Sequence, residues 1–224
     1  MATPTLVFDL DGTLIDTAPD LVQTLNVIFA REGFAPVPYE VARNLIGGGP
    51  RAMITRGLEA EGRVFPPAKL DQMFANFTSY YREHLADQSR PFPGLTDALD
   101  ALAARNCRLA VCTNKLERHS VLLLDQLKLA DRFVAICGQD TFGIQKPDPE
   151  FLRRTVAATG GKMQEAIMIG DSITDIRTAR AAGVPVIAVD FGYSEQPVAE
   201  YGPDRTISHF AQLPASIAAI LSAI

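Results

Sequence analysis

Short apolar runs that alternate with segments of helical pattern constrain the fold of this 224-residue chain more than any other feature. Four runs have the length and composition of strands buried on both faces, at residues 5–8, 108–112, 166–169 and 185–189, with a weaker fifth at 133–136. Between them lie segments with apolar residues at helical spacing, at 96–105, 116–127, 149–159 and 173–182. This alternation predicts an α/β fold with a Rossmann-like, open, parallel sheet whose strands all end at one edge.

One long segment, residues 17–90, interrupts the alternation. It carries no good strand pattern, and its prolines divide it into helical candidates at 19–31, 38–45, 51–60 and 68–85. A segment of this length is too long for a simple connection between a strand and a helix. We therefore predict two domains: an α/β core formed by residues 1–16 and 91–224, and a small all-helical cap domain, 17–90, inserted after the first strand.

Composition and charge exclude several classes of protein. Hydrophobic residues make up 47% of the chain and charged residues 21%, as in an ordinary globular protein. The net charge of −5 gives no general attraction to nucleic acid or to an anionic membrane, so we expect neither as a partner. No apolar run approaches the ~20 residues of a membrane span, and the N-terminal segment lacks the basic region of a signal peptide. The cysteines, three in number and without CxxC spacing, argue against a disulfide framework or a zinc site and favour a reducing cytoplasm.

Polar residues follow the predicted strands at the edge where ligands bind in open α/β sheets. Asp9 and Asp11 follow the first strand, and Thr113, Asn114 and Lys115 follow the second. Lys146 lies in the loop after the weak strand, and Asp171 and Asp175 follow the run at 166–169. Any one of these signals would be weak alone. Because the carboxyl ends of parallel strands meet at one edge, we expect these side chains to converge on a single site.

The residue types at this edge suggest phosphate chemistry. The carboxylates of Asp9, Asp11, Asp171 and Asp175 would repel one another at neutral pH and need a cation, and oxygen ligands of this kind suit Mg²⁺. Lys146 and the Thr113 hydroxyl would complete an oxyanion site with phosphate as its guest. One carboxylate can then attack phosphorus to give an aspartyl phosphate, while a second protonates the leaving oxygen and later deprotonates water.

The motifs that carry these residues resemble those of a known family. Asp9-Leu10-Asp11-Gly12-Thr13-Leu14 is similar to motif I (DxDGT) of the haloacid dehalogenase-like superfamily of phosphohydrolases. Thr113, Lys146 and Gly170-Asp171-x-x-x-Asp175 match its motifs II, III and IV in order, and the helical insertion resembles its cap. The segments 45–49 and 146–149 most resemble those of the phosphoglycolate phosphatase subfamily.

The resemblance implies a role for each matching residue. Asp9 would be the nucleophile and a Mg²⁺ ligand, and Asp11 the general acid and base, with its backbone carbonyl on the metal. Thr113 and the backbone of Asn114 would hold the transferring phosphoryl group, and Lys146 would neutralise Asp9 and the phosphoryl oxygens. Asp171 would ligate Mg²⁺ directly, and Asp175 would act there or one layer further out.

Plainer interpretations remain open at several of these positions. Asp9 and Asp11 could belong to a solvated turn or a partial EF-hand loop, although the closing residues of that loop are missing. Asp171 could cap the helix that begins near residue 173, and Asp175 could serve its macrodipole. In the cap, Gly48 belongs to a glycine turn that is either flexible or closes over substrate. Arg51 is either a solvated surface residue or the cation for a substrate carboxylate.

The sequence thus predicts a cytoplasmic, Mg²⁺-dependent phosphatase for a small phosphorylated metabolite, with 2-phosphoglycolate as the first choice. Within the family, the alternatives are a phosphatase for a sugar phosphate, pyrophosphate or nucleotide, or a phosphomutase. From another class, the alternative is a non-catalytic phosphate-binding regulator, against which Asp11 argues. We expect a monomer or a homodimer.

Overall fold

The computed structural model describes residues 3–46 and 49–222. The strands are β1 (Thr5–Phe8), β2 (Ile15–Asp16), β3 (Arg90–Pro91), β4 (Arg108–Cys112), β5 (Ala135–Cys137), β6 (Ala166–Gly170), β7 (Val186–Val189) and β8 (Arg205–Ile207). The α-helices are α1 (Ala18–Arg31), α2 (Tyr39–Arg43), α3 (Gly49–Ala60), α4 (Pro67–His84), α5 (Leu95–Ala103), α6 (Glu117–Gln126), α7 (Pro149–Ala158), α8 (Ile173–Ala182) and α9 (Leu213–Leu221). None of the helices in these described ranges is long and apolar enough to cross a bilayer.

The chain divides into two compact units, one made of Met1–Asp16 with Pro91–Ile224 and the other of Thr17–Arg90. The first unit contains a six-stranded sheet in the order β5-β4-β1-β6-β7-β8, and every neighbouring pair is parallel. The second unit is built from α1 to α4. The prediction of an α/β fold with an open parallel sheet and a helical insertion after the first strand is confirmed.

Burial on both faces explains why the central strands are uninterrupted apolar runs. Leu6, Val7 and Phe8 of β1 are fully buried, and β1 lies between β4 and β6. On one face of the sheet, Val7 and Met168 share a core with Phe151 of α7 and its neighbours. The first residue after β1 is therefore held at the centre of the sheet, between the ends of two other strands.

Two elements at the sheet's margin were not predicted. β8 is a short edge strand in which Arg205 and Thr206 are exposed, so it lacks an uninterrupted apolar run. α9 has a sequence that is apolar on almost every side, and such a short segment gives no clear helical periodicity. β7 separates β8 from β6 in the sheet, and α9 lies against β8 and α5.

In the second unit, the carboxylate of Asp20 ties the first turn of α1 to the residues that follow α4. Asp20 is 2% exposed. It accepts hydrogen bonds from the backbone N–H of Gln88 (3.0 Å), the backbone N–H of Ser89 (2.8 Å) and the Ser89 hydroxyl (2.7 Å). A buried carboxylate satisfied in this way contributes to stability through hydrogen bonds to a charged group.

Replacing Asp20→Ala should destabilise the second unit by about 2–4 kcal/mol, because the buried donors of Ser89 and the part-buried N–H of Gln88 lose their acceptor. Urea denaturation followed by circular dichroism measures the change. Asp71→Ala is the matched control, since its ion pair with Arg51 is exposed on both sides and its loss should cost less than about 1 kcal/mol. Equal losses for the two variants would contradict this account of Asp20.

Candidate active site

The ends of β1, β4 and β6 bring the predicted site residues to one edge of the sheet. Asp9 follows β1 directly, and its backbone N–H donates to the carbonyl of Ile169 in β6 (2.9 Å). Thr113 follows β4 and donates its N–H to Cys137 of β5 (3.0 Å). The hydrogen-bonded ladders therefore continue by one residue beyond the strands, and this fixes the positions from which these side chains project.

Three carboxylates meet at this edge. One oxygen of each of Asp9, Asp171 and Asp175 lies within 4.8 Å of the others. The side chain of Asp175 is fully buried, Asp171 is 3% exposed, and the side chain of Asp9 is 14% exposed. Like charges this close need either protons or a cation, and an all-oxygen donor set fits a hard divalent ion such as Mg²⁺.

Lys146 is the cation that the structure places among these carboxylates. Its side chain is 2% exposed, and its Nζ lies 2.9 Å from Asp9 and 2.6 Å from Asp175. The side chain of Asn114 holds the lysine's backbone from both sides: its Nδ2 donates to the Lys146 carbonyl (3.0 Å), and its Oδ1 accepts from the Lys146 N–H (2.8 Å). The family resemblance implied only a backbone role for Asn114, so the contacts of its side-chain amide with Lys146 were not predicted.

Asp171 sits in a cradle that fixes both of its oxygens. The Thr13 hydroxyl donates to Oδ1 (3.0 Å), and the backbone N–H of Tyr193 donates to Oδ2 (2.8 Å). A Cβ built on Gly12 or on Gly192 would lie 2.4 Å from Oδ2, so any side chain at either position would displace the carboxylate. These neighbours therefore fix the orientation of the Asp171 carboxylate before any ion binds.

The two carboxylate oxygens of Asp175, at the start of α8, have different partners. Its Oδ2 accepts bonds from the backbone N–H (3.1 Å) and the hydroxyl (2.6 Å) of Ser172, while Oδ1 faces Lys146. Ser172 is the N-cap of α8, and the two residues form a capping box, so Asp171 is not the cap residue. The geometry makes Asp175 the group that holds Lys146 and the helix start together.

Asp11 has its own lysine. Both of its carboxylate oxygens bind Lys115 Nζ, at 2.8 and 2.9 Å, and the Lys115 side chain is 3% exposed. Among the described residues, the carboxylate cluster consists of Asp9, Asp171 and Asp175, so the Asp11 side chain is directed to a different partner. Thr113 lies beside this pair, 2% exposed, and its hydroxyl oxygen accepts the Lys115 N–H (3.2 Å).

The two predicted site residues of the insertion are placed differently. Gly48 lies outside the described residues, and so the glycine turn stays a prediction. Arg51 of α3 forms an exposed ion pair with Asp71 (2.6 Å) and lies over the ring of Phe74 (5.1 Å), all within the second unit.

Burial and mutual repulsion shift the protonation of the cluster. Burial raises the pKa of Asp9 to about 6, with Lys146 opposing the rise and Asp175 adding to it. Burial also raises the pKa of Asp171 to about 8, and the carboxylates of Asp175 and Asp9 add to the rise. Burial alone would lower the pKa of Lys146, but the Asp175 and Asp9 carboxylates outweigh it and raise that pKa. The lysine thus stays charged.

Several residues of the site had no sequence motif that singled them out. Lys115 follows β4 at the active edge, and its position there placed it at the site without assigning it a role. Tyr193 lies in the loop after β7, at the same edge, and its hydroxyl donates to Asp16 (2.6 Å). Cys112 and Cys137 are buried free cysteines that lie opposite each other in the neighbouring strands β4 and β5. Burial raises the pKa of Cys112 to about 12, so its side chain is a thiol and not a thiolate at neutral pH.

Comparison with known proteins agrees with the motifs and the fold. A family model described as haloacid dehalogenase-like hydrolase matches residues 6–189. A phosphoglycolate phosphatase of Mesorhizobium japonicum is 44% identical over 218 residues, which cover 97% of this chain and 96% of that protein. One from Agrobacterium fabrum is 46% identical over 211 residues, covering 94% and 91%. A crystal structure titled as a predicted phosphoglycolate phosphatase from Haemophilus somnus has a TM-score of 0.89 at 27% identity, and covers 95% of this chain and 97% of that one.

The raised pKa values predict how pH and a divalent cation affect stability. A carboxyl whose pKa is higher in the folded state contributes stability at low pH, and this contribution is lost as pH rises through about 6 for Asp9 and about 8 for Asp171. Mg²⁺ should therefore raise the melting temperature little at pH about 5.5, but by at least about 3 °C at pH about 8.5, a shift equivalent to about 1 kcal/mol.

Thermal melts with magnesium chloride and with EDTA at the two pH values measure this effect, and Asp171→Asn is the control that should lose most of it. A magnesium-induced shift that is equal at both pH values, or larger at the lower one, would contradict the account of the cluster.

Proposed function

The chain belongs to the haloacid dehalogenase-like hydrolase family, and we propose that it is a Mg²⁺-dependent phosphatase whose first-choice substrate is 2-phosphoglycolate. The observation that carries the proposal is the pairing of two carboxylates with two lysines at one strand end. Asp9 faces Lys146, and Asp11, two residues later, faces Lys115. Such a pair supplies a nucleophile and a separate proton-transfer group.

The residues of this chain divide the reaction into two steps. In the first, the Asp9 carboxylate attacks phosphorus and the bond from phosphorus to the ester oxygen breaks, while Asp11 gives the leaving oxygen the proton that it took from water in the preceding turnover. In the second, Asp11 takes a proton from water, whose oxygen attacks the aspartyl phosphate and releases inorganic phosphate and Asp9. Lys146 offsets negative charge on Asp9 and the phosphoryl oxygens throughout, and the Thr113 hydroxyl and the Asn114 backbone N–H bind those oxygens.

The metal site in this proposal is formed by Asp9, Asp171 and the backbone carbonyl of Asp11, with Asp175 behind them. When bound, Mg²⁺ would screen the repulsion between the nucleophile and the phosphoryl group and balance the charge that develops on it. The support for this assignment is the oxygen-only cluster and the firmly held orientation of Asp171. The domain roles belong to the same proposal: a hydrolase core, 1–16 with 91–224, and a cap, 17–90, which two compact units with these bounds support.

The substrate is the part of the proposal that depends most on the relatives. The curated relatives from Mesorhizobium japonicum and Agrobacterium fabrum are named phosphoglycolate phosphatases, and they match this chain over more than nine tenths of its length. We assign the substrate carboxylate to Arg51. Its exposed pair with Asp71 is weak enough to be exchanged for that carboxylate.

The proposal extends to partners and location. We propose a cytoplasmic monomer or homodimer without a nucleic-acid partner. The mildly acidic net charge of −5 supports the absence of a nucleic-acid partner, and the three cysteines that form no disulfide support the cytoplasmic location.

Asp9→Asn tests the function directly, because it replaces the nucleophile by a side chain that cannot form the intermediate. We expect kcat/KM for 2-phosphoglycolate with Mg²⁺ to fall at least about a thousandfold, and EDTA to abolish wild-type turnover. Phosphate release measures both effects. Asp97→Asn, at an exposed position of α5 in the same unit, should leave kcat/KM within about twofold.

Appreciable turnover by Asp9→Asn would reject the nucleophile, and wild-type turnover that is insensitive to EDTA would reject the metal. If a sugar phosphate, nucleotide or pyrophosphate has a higher kcat/KM than 2-phosphoglycolate, the proposed substrate is wrong and the proposed phosphatase activity stands.

A further inference from the structure

The site contains a second buried lysine, Lys115, which the mechanism above does not use. Its side chain is 3% exposed, and its Nζ binds both oxygens of Asp11, at 2.8 and 2.9 Å. A buried ammonium that lost its partner would remain desolvated without a compensating charge, so such a pair is harder to separate than one at the surface. The two contacts restrict the rotation of the Asp11 carboxylate as well as its position.

The backbone of Lys115 is fixed as firmly as its side chain. Its N–H donates to the Thr113 hydroxyl (3.2 Å), and its carbonyl accepts from the N–H of Gln139 (3.1 Å). A Cβ on Gly138 would come within 2.6 Å of the same carbonyl, so the loops after β4 and β5 are in close backbone contact here. The loops after β4 and β5 therefore fix the backbone position from which the Lys115 side chain projects.

The two lysines of the site serve different carboxylates. Lys146 lies between Asp9 and Asp175, whereas Lys115 binds Asp11. A lysine that served only to attract phosphate would not need to bind both oxygens of the group that transfers the proton. The arrangement instead fits a lysine that supports the Asp11 carboxyl group, because a proton-transfer group must be held within hydrogen-bond reach of the reacting oxygen.

We propose that Lys115 is a positioning residue that holds the Asp11 carboxyl group in the orientation needed for proton transfer; the proposal rests on the phosphatase function given above. It follows that Lys115 matters only in the steps that move a proton through Asp11. These are protonation of the leaving alcohol and deprotonation of the water that attacks the aspartyl phosphate. Attack of Asp9 on phosphorus does not depend on it.

The leaving group of the substrate separates this role from phosphate binding. 2-Phosphoglycolate expels an alkoxide, which needs a proton, whereas p-nitrophenyl phosphate expels a stable phenolate, which does not. In Lys115→Met, kcat/KM should fall at least about tenfold for 2-phosphoglycolate and less than about threefold for p-nitrophenyl phosphate. With the aryl ester, the variant should also release a burst of nitrophenolate followed by slow turnover, because water activation is impaired.

Three further variants complete the experiment. Lys115→Arg keeps a cation in contact with Asp11 and should recover part of the loss. Lys115→Met introduced into Asp11→Asn should change the ratio between the two substrates no further, because the group that it positions is already gone. Lys162→Met, the same substitution at an exposed lysine of the same unit, should behave as the wild type.

Equal losses for the two esters, or no loss for either, would overturn the role of Lys115. A melting curve accompanies each variant, and if Lys115→Met does not fold, the same ratio is measured in Lys115→Gln. If the wild type hydrolyses both esters but the ratio does not change, this inference alone fails. If the wild type hydrolyses no phosphate ester with Mg²⁺, the proposed function fails with it.

Discussion

The charge balance at the carboxyl ends of β1 and β6 is the constraint on which the rest of the site depends. Asp9, Asp171 and Asp175 bring three carboxylates within 4.8 Å, and Lys146 supplies one positive charge among them. Three negative charges against one leave two uncompensated, which equals the charge of one divalent cation. Burial and mutual repulsion raise the pKa values of Asp9 and Asp171, so that without a cation the cluster holds protons instead. The net charge of the whole chain, −5, says nothing about this local balance.

The sheet makes this arrangement possible because it is rigid and buried where the charges meet. The fully buried β1 lies between β4 and β6. Asp9, which follows β1, is therefore held next to the residues that follow β4 and β6. Neutral side chains then fix the charged residues, since Thr13 donates to the Asp171 carboxylate and Asn114 donates to the backbone carbonyl of Lys146. Asp11 stands apart from the cluster because Lys115 satisfies it separately, so the nucleophile and the proton-transfer group are given different electrostatic surroundings.

The sequence could predict those parts of the molecule that depend on local pattern. The central strands were evident because residues such as Leu6 to Phe8 are buried on both faces and cannot be polar. Asp9 and Asp171 were evident because each directly follows such a strand. The edge strand β8 could not be recognised, since two of its three residues are exposed. The Asn114 clamp on Lys146 and the contact of Tyr193 with Asp171 join residues 32 and 22 positions apart, which no local pattern reports.

The number of protons released when Mg²⁺ binds tests the central claim most directly. Near pH 7, a carboxyl with a pKa of about 8 is mostly protonated and one with a pKa of about 6 is mostly ionised, so the cluster should release about one proton for each ion bound. Titration calorimetry in buffers of different ionisation enthalpy measures this number, and Asp171→Asn should reduce it to nearly zero. Tight binding of Mg²⁺ to the wild type without proton release, or no binding at all, would contradict the account.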